Sequence, residues 1–306
     1  MNLPEGWEGF YQDVCNKVKT LSSCGIWKIN SATALAWLGN FQESEHKYIA
    51  AHILDRVTYR SERMIEGAYK SFLISTFREH IKRHKALSYY SIDEWLKLLR
   101  SHPKNEHSNI KLCSVSKLGD NGDSGSQIIR LLTGELFHQN RMISPEKQPL
   151  SDLEGQVILI VDDFVGSGDQ FISFAEETGL KQACKNNHII YAPAIGYYKG
   201  LEKITKADLG VSLSPLEILK DSERFFTHEP GAVFCGDNIN TEAEVAECYR
   251  QMLKLSPSFN RGAWFGRDNE SLCVIFQWGC PNQSLGIIWY EGGSDWKKLA
   301  RRRGSQ

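Results

Sequence analysis

The sequence predicts an α/β protein with a mainly parallel sheet, preceded by an N-terminal helical segment. Three observations carry that expectation. Residues 1–100 hold apolar stripes at helical spacing with no strand pattern among them. From residue 110 onward, short apolar runs alternate with amphipathic stretches, as in strand–helix–strand units. One run, Val157-Ile-Leu-Ile-Val161, is unbroken, which fits a strand covered on both faces of a parallel sheet.

The helical segment is expected over 1–100. Ile49, Ile53, Leu54 and Val57 share one helix face. Ser61 is placed to cap a second helix carrying Ile65, Tyr69, Phe72 and Leu73, and Ser91 precedes a third with Trp95 and Leu99 inward. The stretch 101–109 is polar and rich in breakers, like a linker. An α/β domain is expected over 101–295. Its strands are read at 110–115, 157–161, 188–192, 211–213 and 232–234, with helices after the first three. Thr241-Glu-Ala-Glu244 is a capping box opening a further helix. Leu272–Gln277 and Leu285–Tyr290 read as two strands around the turn 279–284. Residues 296–306 read as a basic, solvated C-terminal tail.

Composition bounds the function. The 306 residues include 36 Lys and Arg against 37 Asp and Glu, a net charge of -1, which argues against coating nucleic acid by bulk charge. With 41% hydrophobic residues the chain can bury a core. No apolar run approaches the roughly 18 residues of a membrane span. The start, MNLPEGWEGFYQDV, has no basic-then-apolar pattern of a secretory signal, so a cytoplasmic location is expected. The eight cysteines form no C-x-x-C pair and read as reduced thiols.

The stretch with the clearest chemistry is Val157 to Gln170. A buried strand leads into two adjacent carboxylates, Asp162 and Asp163, at the end of the sheet where ligands bind in open α/β folds. Gly166-Ser167-Gly168 follows, then Asp169 and Gln170 open a helix. The glycines let the backbone approach a ligand, and N–H groups at a helix start attract a phosphate. The acids suit sugar hydroxyls or a magnesium ion carried with the ligand. A receiver domain would also place two acids after an apolar strand. It needs a third carboxylate at a later strand end, which Val211-Ser-Leu-Ser214 lacks, and no nucleotide-triphosphatase P-loop occurs.

Apolar strand, two acids, short link and Ser-Gly turn together resemble the phosphoribosyltransferase fingerprint. The resemblance implies a Rossmann-like phosphoribosyltransferase fold in which Asp162 and Asp163 hold the ribose 2′ and 3′ hydroxyls and a magnesium ion. It implies that Gly166, Ser167, Gly168, Asp169 and Gln170 bind the 5′-phosphate of phosphoribosyl pyrophosphate or a nucleotide. It also implies a pyrophosphate loop after the strand at 110–115, with Lys117, Gly119, Ser124, Gly125 and Arg130 as candidates. Two departures stand out: Asp169-Gln170 replaces a small residue and a hydroxyl residue, and the loop carries Asp120 and Asp123. They leave turnover open against a second reading, a non-catalytic nucleotide sensor or regulatory scaffold. Trp37-Leu-Gly-Asn-Phe-Gln-Glu43, the Asp162-to-Gly168 core and Pro281-Asn-Gln-Ser-Leu285 with Ile287-Ile-Trp289 are similar to a divergent branch of bacterial antiphage, retron-associated effectors. That resemblance implies a toxin held in check by a partner protein or retron nucleoprotein.

Overall fold

The computed structural model describes residues 1–83, 91–104, 109–115, 125–227, 239–254, 261–291 and 295–303. Lys117, Gly119, Ser124 and the strand expected at 232–234 lie outside the described residues. The chain forms two compact units, one of Met1–Ser61 with Lys220–Gln306 and one of Glu62–Leu219. These limits run differently from the sequence ranges: the N-terminal helices divide between both units, and the chain after 219 rejoins the first.

The first unit begins with α1 (Trp7–Ser23), α2 (Ser31–Leu38), α3 (Ser44–Asp55) and β1 (Thr58–Arg60). The second follows with α4 (Glu62–Phe72), α5 (Arg78–Arg83), α6 (Ile92–Arg100), β2 (Ile110–Ser114), α7 (Gly125–Glu135), β3 (Val157–Val165), α8 (Asp169–Glu177), α9 (Leu180–Ala183), β4 (His188–Tyr197), α10 (Tyr198–Lys206), β5 (Ser212–Leu213) and β6 (Glu217–Leu219). The first unit then adds α11 (Glu242–Lys254), β7 (Val274–Phe276) and α12 (Gly286–Trp289). Among the described residues, no helix is long and apolar enough to cross a membrane.

The Thr241-Glu-Ala-Glu244 capping box forms as read, and Ser91 with Glu94 makes a further one. Ser91 accepts the Glu94 N–H while the Glu94 carboxylate accepts the Ser91 N–H, and Thr241 and Glu244 repeat the exchange. In the first unit, Trp37, Phe41, Ile53, Leu54 and Tyr249 are fully or almost fully buried in one core. The parallel pair β1–β7 lies beside it. In the second unit all strands run parallel, in the order β2-β3-β4-β5, with β6 pairing the far half of β4. Every residue of β3 is buried, as its unbroken apolar run requires.

Three expectations are corrected. Leu285–Tyr290 is a helical turn, not a strand: the Tyr290 N–H bonds the Gly286 carbonyl. Its residues Ile287 and Ile288 are fully buried, so no alternation of polar and apolar side chains distinguishes the two states. The basic tail is not a loose terminus. Cys280 N–H donates to the Arg301 carbonyl and Arg303 N–H to the Cys280 carbonyl, and Leu299 is buried. Finally, β3 runs on through Val165, so the two acids stand within the strand and not at its end.

Candidate phosphate and sugar site

Strand β3 pairs with β4 so that Asp162 stands opposite Pro193 and Val165 opposite Gly196. Both acids are almost wholly removed from solvent, Asp162 at 2% and Asp163 at 0% exposure. Such burial is costly for a carboxylate unless donors surround it. Asp162 has them: one oxygen accepts the Asp163 N–H at 2.9 Å and the other accepts the Tyr191 hydroxyl at 3.1 Å. Tyr191 stacks flat on Phe171 of α8, with ring centroids 3.7 Å apart, which fixes that hydroxyl. Strand alternation sends Asp163 to the opposite face. There the Tyr69 hydroxyl, from α4, bonds the carbonyls of Asp162 and Ala192 and ties β3 to β4.

These two tyrosines give the unit an alkaline limit. Burial, then the Asp162 charge, holds both phenols well above the usual 10.0, so the folded state keeps protons that the unfolded chain releases. Stability is therefore intact below that value and falls above it, by about 1.4 kcal/mol per pH unit for each tyrosine. Urea midpoints followed from about pH 8 to about pH 11 are expected to drop along this slope, and Tyr191→Phe is expected to flatten it. Equal slopes in the two proteins would refute this account.

The turn after β3 is shaped by glycine. Gly168 takes φ +82, and a Cβ there would meet the Gly200 carbonyl at 2.8 Å. Gly200, in the first turn of α10, leaves no room either: its Cβ would stand 2.0 Å from the Gly166 carbonyl oxygen. The turn and α10 thus approach backbone to backbone. Among the described residues, no hydrogen bond engages the N–H groups of Ser167, Gly168 or Gln170, so they remain at the start of α8, where the helix dipole favours an anion.

Asp169 places a negative charge beside these amides, and the structure shows how it is offset. Its carboxylate pairs with Lys203 of α10 and accepts the Ser167 hydroxyl at 2.8 Å. The Ser167 hydroxyl is thereby directed to Asp169, while Gln170 sits half-buried in the first turn of α8. Of the pyrophosphate-loop candidates, Gly125 packs against the end of β2, where its Cβ would meet the Val115 carbonyl at 2.7 Å. Register places that end beside β3, Ser114 opposite Val161, next to the acids. Arg130 is exposed on α7. The sequence reading missed Tyr191, Gly200 and Lys203. Only Gly200 left a signal, a glycine in the first turn of an amphipathic helix, which marks a close backbone approach.

The likeness to known proteins can be set beside this geometry. No curated protein matches the sequence. A similar solved structure is that of the AQ2163 protein from Aquifex aeolicus, at 15% identity and a TM-score of 0.28, covering 37% of this chain and 56% of that one. The family model PRTase-CE matches residues 34–302, which takes in both units and the whole Asp162-to-Gln170 segment. The parallel α/β sheet with its acidic strand and glycine turn is thus that of a phosphoribosyltransferase-like protein, and the chain belongs to the PRTase-CE family.

Proposed function

We propose that the second unit binds a ribosyl 5-phosphate compound, phosphoribosyl pyrophosphate or a nucleotide, and acts on it at the anomeric carbon. One observation carries the reading: the Gly166–Gly168 turn, locked against Gly200, leaves amides unengaged among the described residues directly after the two acids. In this reading Ser167, Gly168 and Gln170 donate N–H groups to the 5′-phosphate. Asp163 receives the ribose hydroxyls. Asp162, held by Tyr191, is a positioning residue that fixes the strand beneath them. Lys203 keeps Asp169 from repelling the phosphate.

Among the described residues, no group of three or more His, Cys, Asp or Glu gathers as a resident metal site. The donor set suits a magnesium ion that arrives with a pyrophosphate, which needs only one or two carboxylates. Asp163 is the residue to hold it, and the ion would supply positive charge to the departing pyrophosphate. The bond from the anomeric carbon to the pyrophosphate oxygen, or in a nucleotide to the base nitrogen, breaks with its electron pair leaving on that group as charge develops on the ring, and a water or a base-bearing acceptor adds to the carbon and gives up its proton. The protein's part is placement and charge stabilisation.

A sensor without turnover is the second reading. It is favoured by the Ser167 hydroxyl, which turns to Asp169 rather than standing free for a phosphate. The test is incubation of the full chain with magnesium and phosphoribosyl pyrophosphate, then with a nucleotide pool, while ligand loss is followed by chromatography. Wild type is expected to consume ligand and Asp163→Asn to lose about 100-fold in rate. Binding with no consumption would establish the sensor, and no binding would end both readings. A role as an effector or toxin of a bacterial antiphage system, restrained by a partner protein or retron nucleoprotein, is supported by the sequence resemblance. Its readout is growth arrest on expression that Asp163→Asn relieves.

A further inference from the structure

The first unit carries a hollow of its own, about 400 Å³, at the carboxyl-terminal ends of the parallel strands β1 and β7. Tyr59 and Phe276 form part of its wall, and Lys28, Lys298 and Arg301 line it, with no acidic residue in the lining among the described residues. Glu291 pairs with Lys298 but does not line the hollow.

The fold fixes this arrangement. Residues 299–303 are held across the turn at Gly279, which takes φ +140, and a Cβ there would stand 3.1 Å from Arg303 Cα. The Arg301 Nε donates to the Trp278 carbonyl at 3.0 Å, so the guanidinium is anchored beside the hollow and not swinging from a free terminus. Asn30 and Thr33, also in the lining, belong to the start of α2, whose dipole adds positive potential. Among the described residues its walls carry three cations and no acid; Glu291 offsets Lys298 from outside the hollow, while Lys28 and Arg301 have no acidic partner. An anion in the hollow meets that excess positive charge, and low-dielectric walls concentrate the field on it. The volume falls within the range of small-molecule sites.

We infer that this hollow binds a small phosphorylated ligand of nucleotide size, at a site separate from the acids of β3. Equilibrium dialysis of the full chain with labelled ATP tests it. Wild type is expected to bind, with an affinity that falls steeply as salt rises. The double reversal Lys28→Glu, Lys298→Glu is expected to weaken binding by roughly tenfold or more, since both side chains are exposed and their heads carry the attraction. The neutral pair Lys28→Gln, Lys298→Gln is expected to give a smaller loss in the same direction, and unchanged thermal melting shows that both variants fold. Asp163→Asn is expected to keep the binding that the lysine variants lose. Undiminished binding in the lysine variants overturns the inference. So does loss of all ATP binding in Asp163→Asn, which places the nucleotide at β3. Binding of a thymidine oligomer in place of ATP would also overturn it, in favour of a nucleic-acid contact.

Discussion

Gly200→Ala is expected to destabilise the second unit by about 3 kcal/mol, the upper end of the overpacking range. The methyl group would stand 2.0 Å from the Gly166 carbonyl oxygen and 3.0 Å from the Gly168 nitrogen. Both neighbours are backbone atoms, so no rotamer change relieves the clash and α10 or the turn must move. The same displacement misplaces the amides at the start of α8, so phosphate-ligand affinity is expected to fall with stability. Gly67→Ala is the control. It lies inside α4 with open space where the methyl would go, and it is expected to stabilise by about 0.5–1 kcal/mol through helix propensity. Urea midpoints of the two variants check both signs. A neutral Gly200→Ala would mean that the turn and helix do not interlock.

What the sequence disclosed follows the range of the interactions involved. The capping box Thr241-Glu-Ala-Glu244 and the apolar run of β3 are local patterns, and each produced its element. The acids and glycines of residues 162–168 are contiguous too, so their spacing in sequence matches their order in space. The contacts that hold them come from elsewhere. Tyr191 reads as one more apolar position of a strand, and only the β3–β4 register brings its hydroxyl to Asp162. Lys203 reads as a solvated helix charge until α10 is laid beside the turn. The return of residues 220–306 to the first unit is invisible for the same reason: parallel pairing of β1 with β7 joins Thr58 to Val274, and no local pattern records such a partner.

Arg141 shows what such a hidden contact is worth. The side chain is fully buried, and its guanidinium donates to the carbonyls of Leu98 at 2.7 Å, Leu99 at 3.1 Å and Ile110 at 3.3 Å. Leu98 and Leu99 belong to the last turn of α6, whose carbonyls have no partner within the helix. Together with the Ser101 hydroxyl and the His138 N–H, this cation satisfies the end of α6, and it complements the helix dipole and fastens it to the first residue of β2. Arg141→Met keeps much of the volume but takes one donor from each carbonyl, leaving Leu98 only the Ser101 hydroxyl at 2.8 Å and Leu99 only the His138 N–H at 3.0 Å, and it is expected to cost about 1.5–3 kcal/mol. Arg141→Lys keeps the charge without the planar fork that reaches three acceptors, and it is expected to recover only part of the loss. Trp95, on α6 itself, is the one tryptophan in residues 62–219, and its indole N–H bonds the Leu73 carbonyl. Exposure of α6 in Arg141→Met is therefore expected to shift Trp95 emission at a lower urea concentration than in wild type. The check uses a background in which the other tryptophans are replaced by phenylalanine. Coincident transitions in the two proteins would show that Arg141 does not clamp the helix to the sheet.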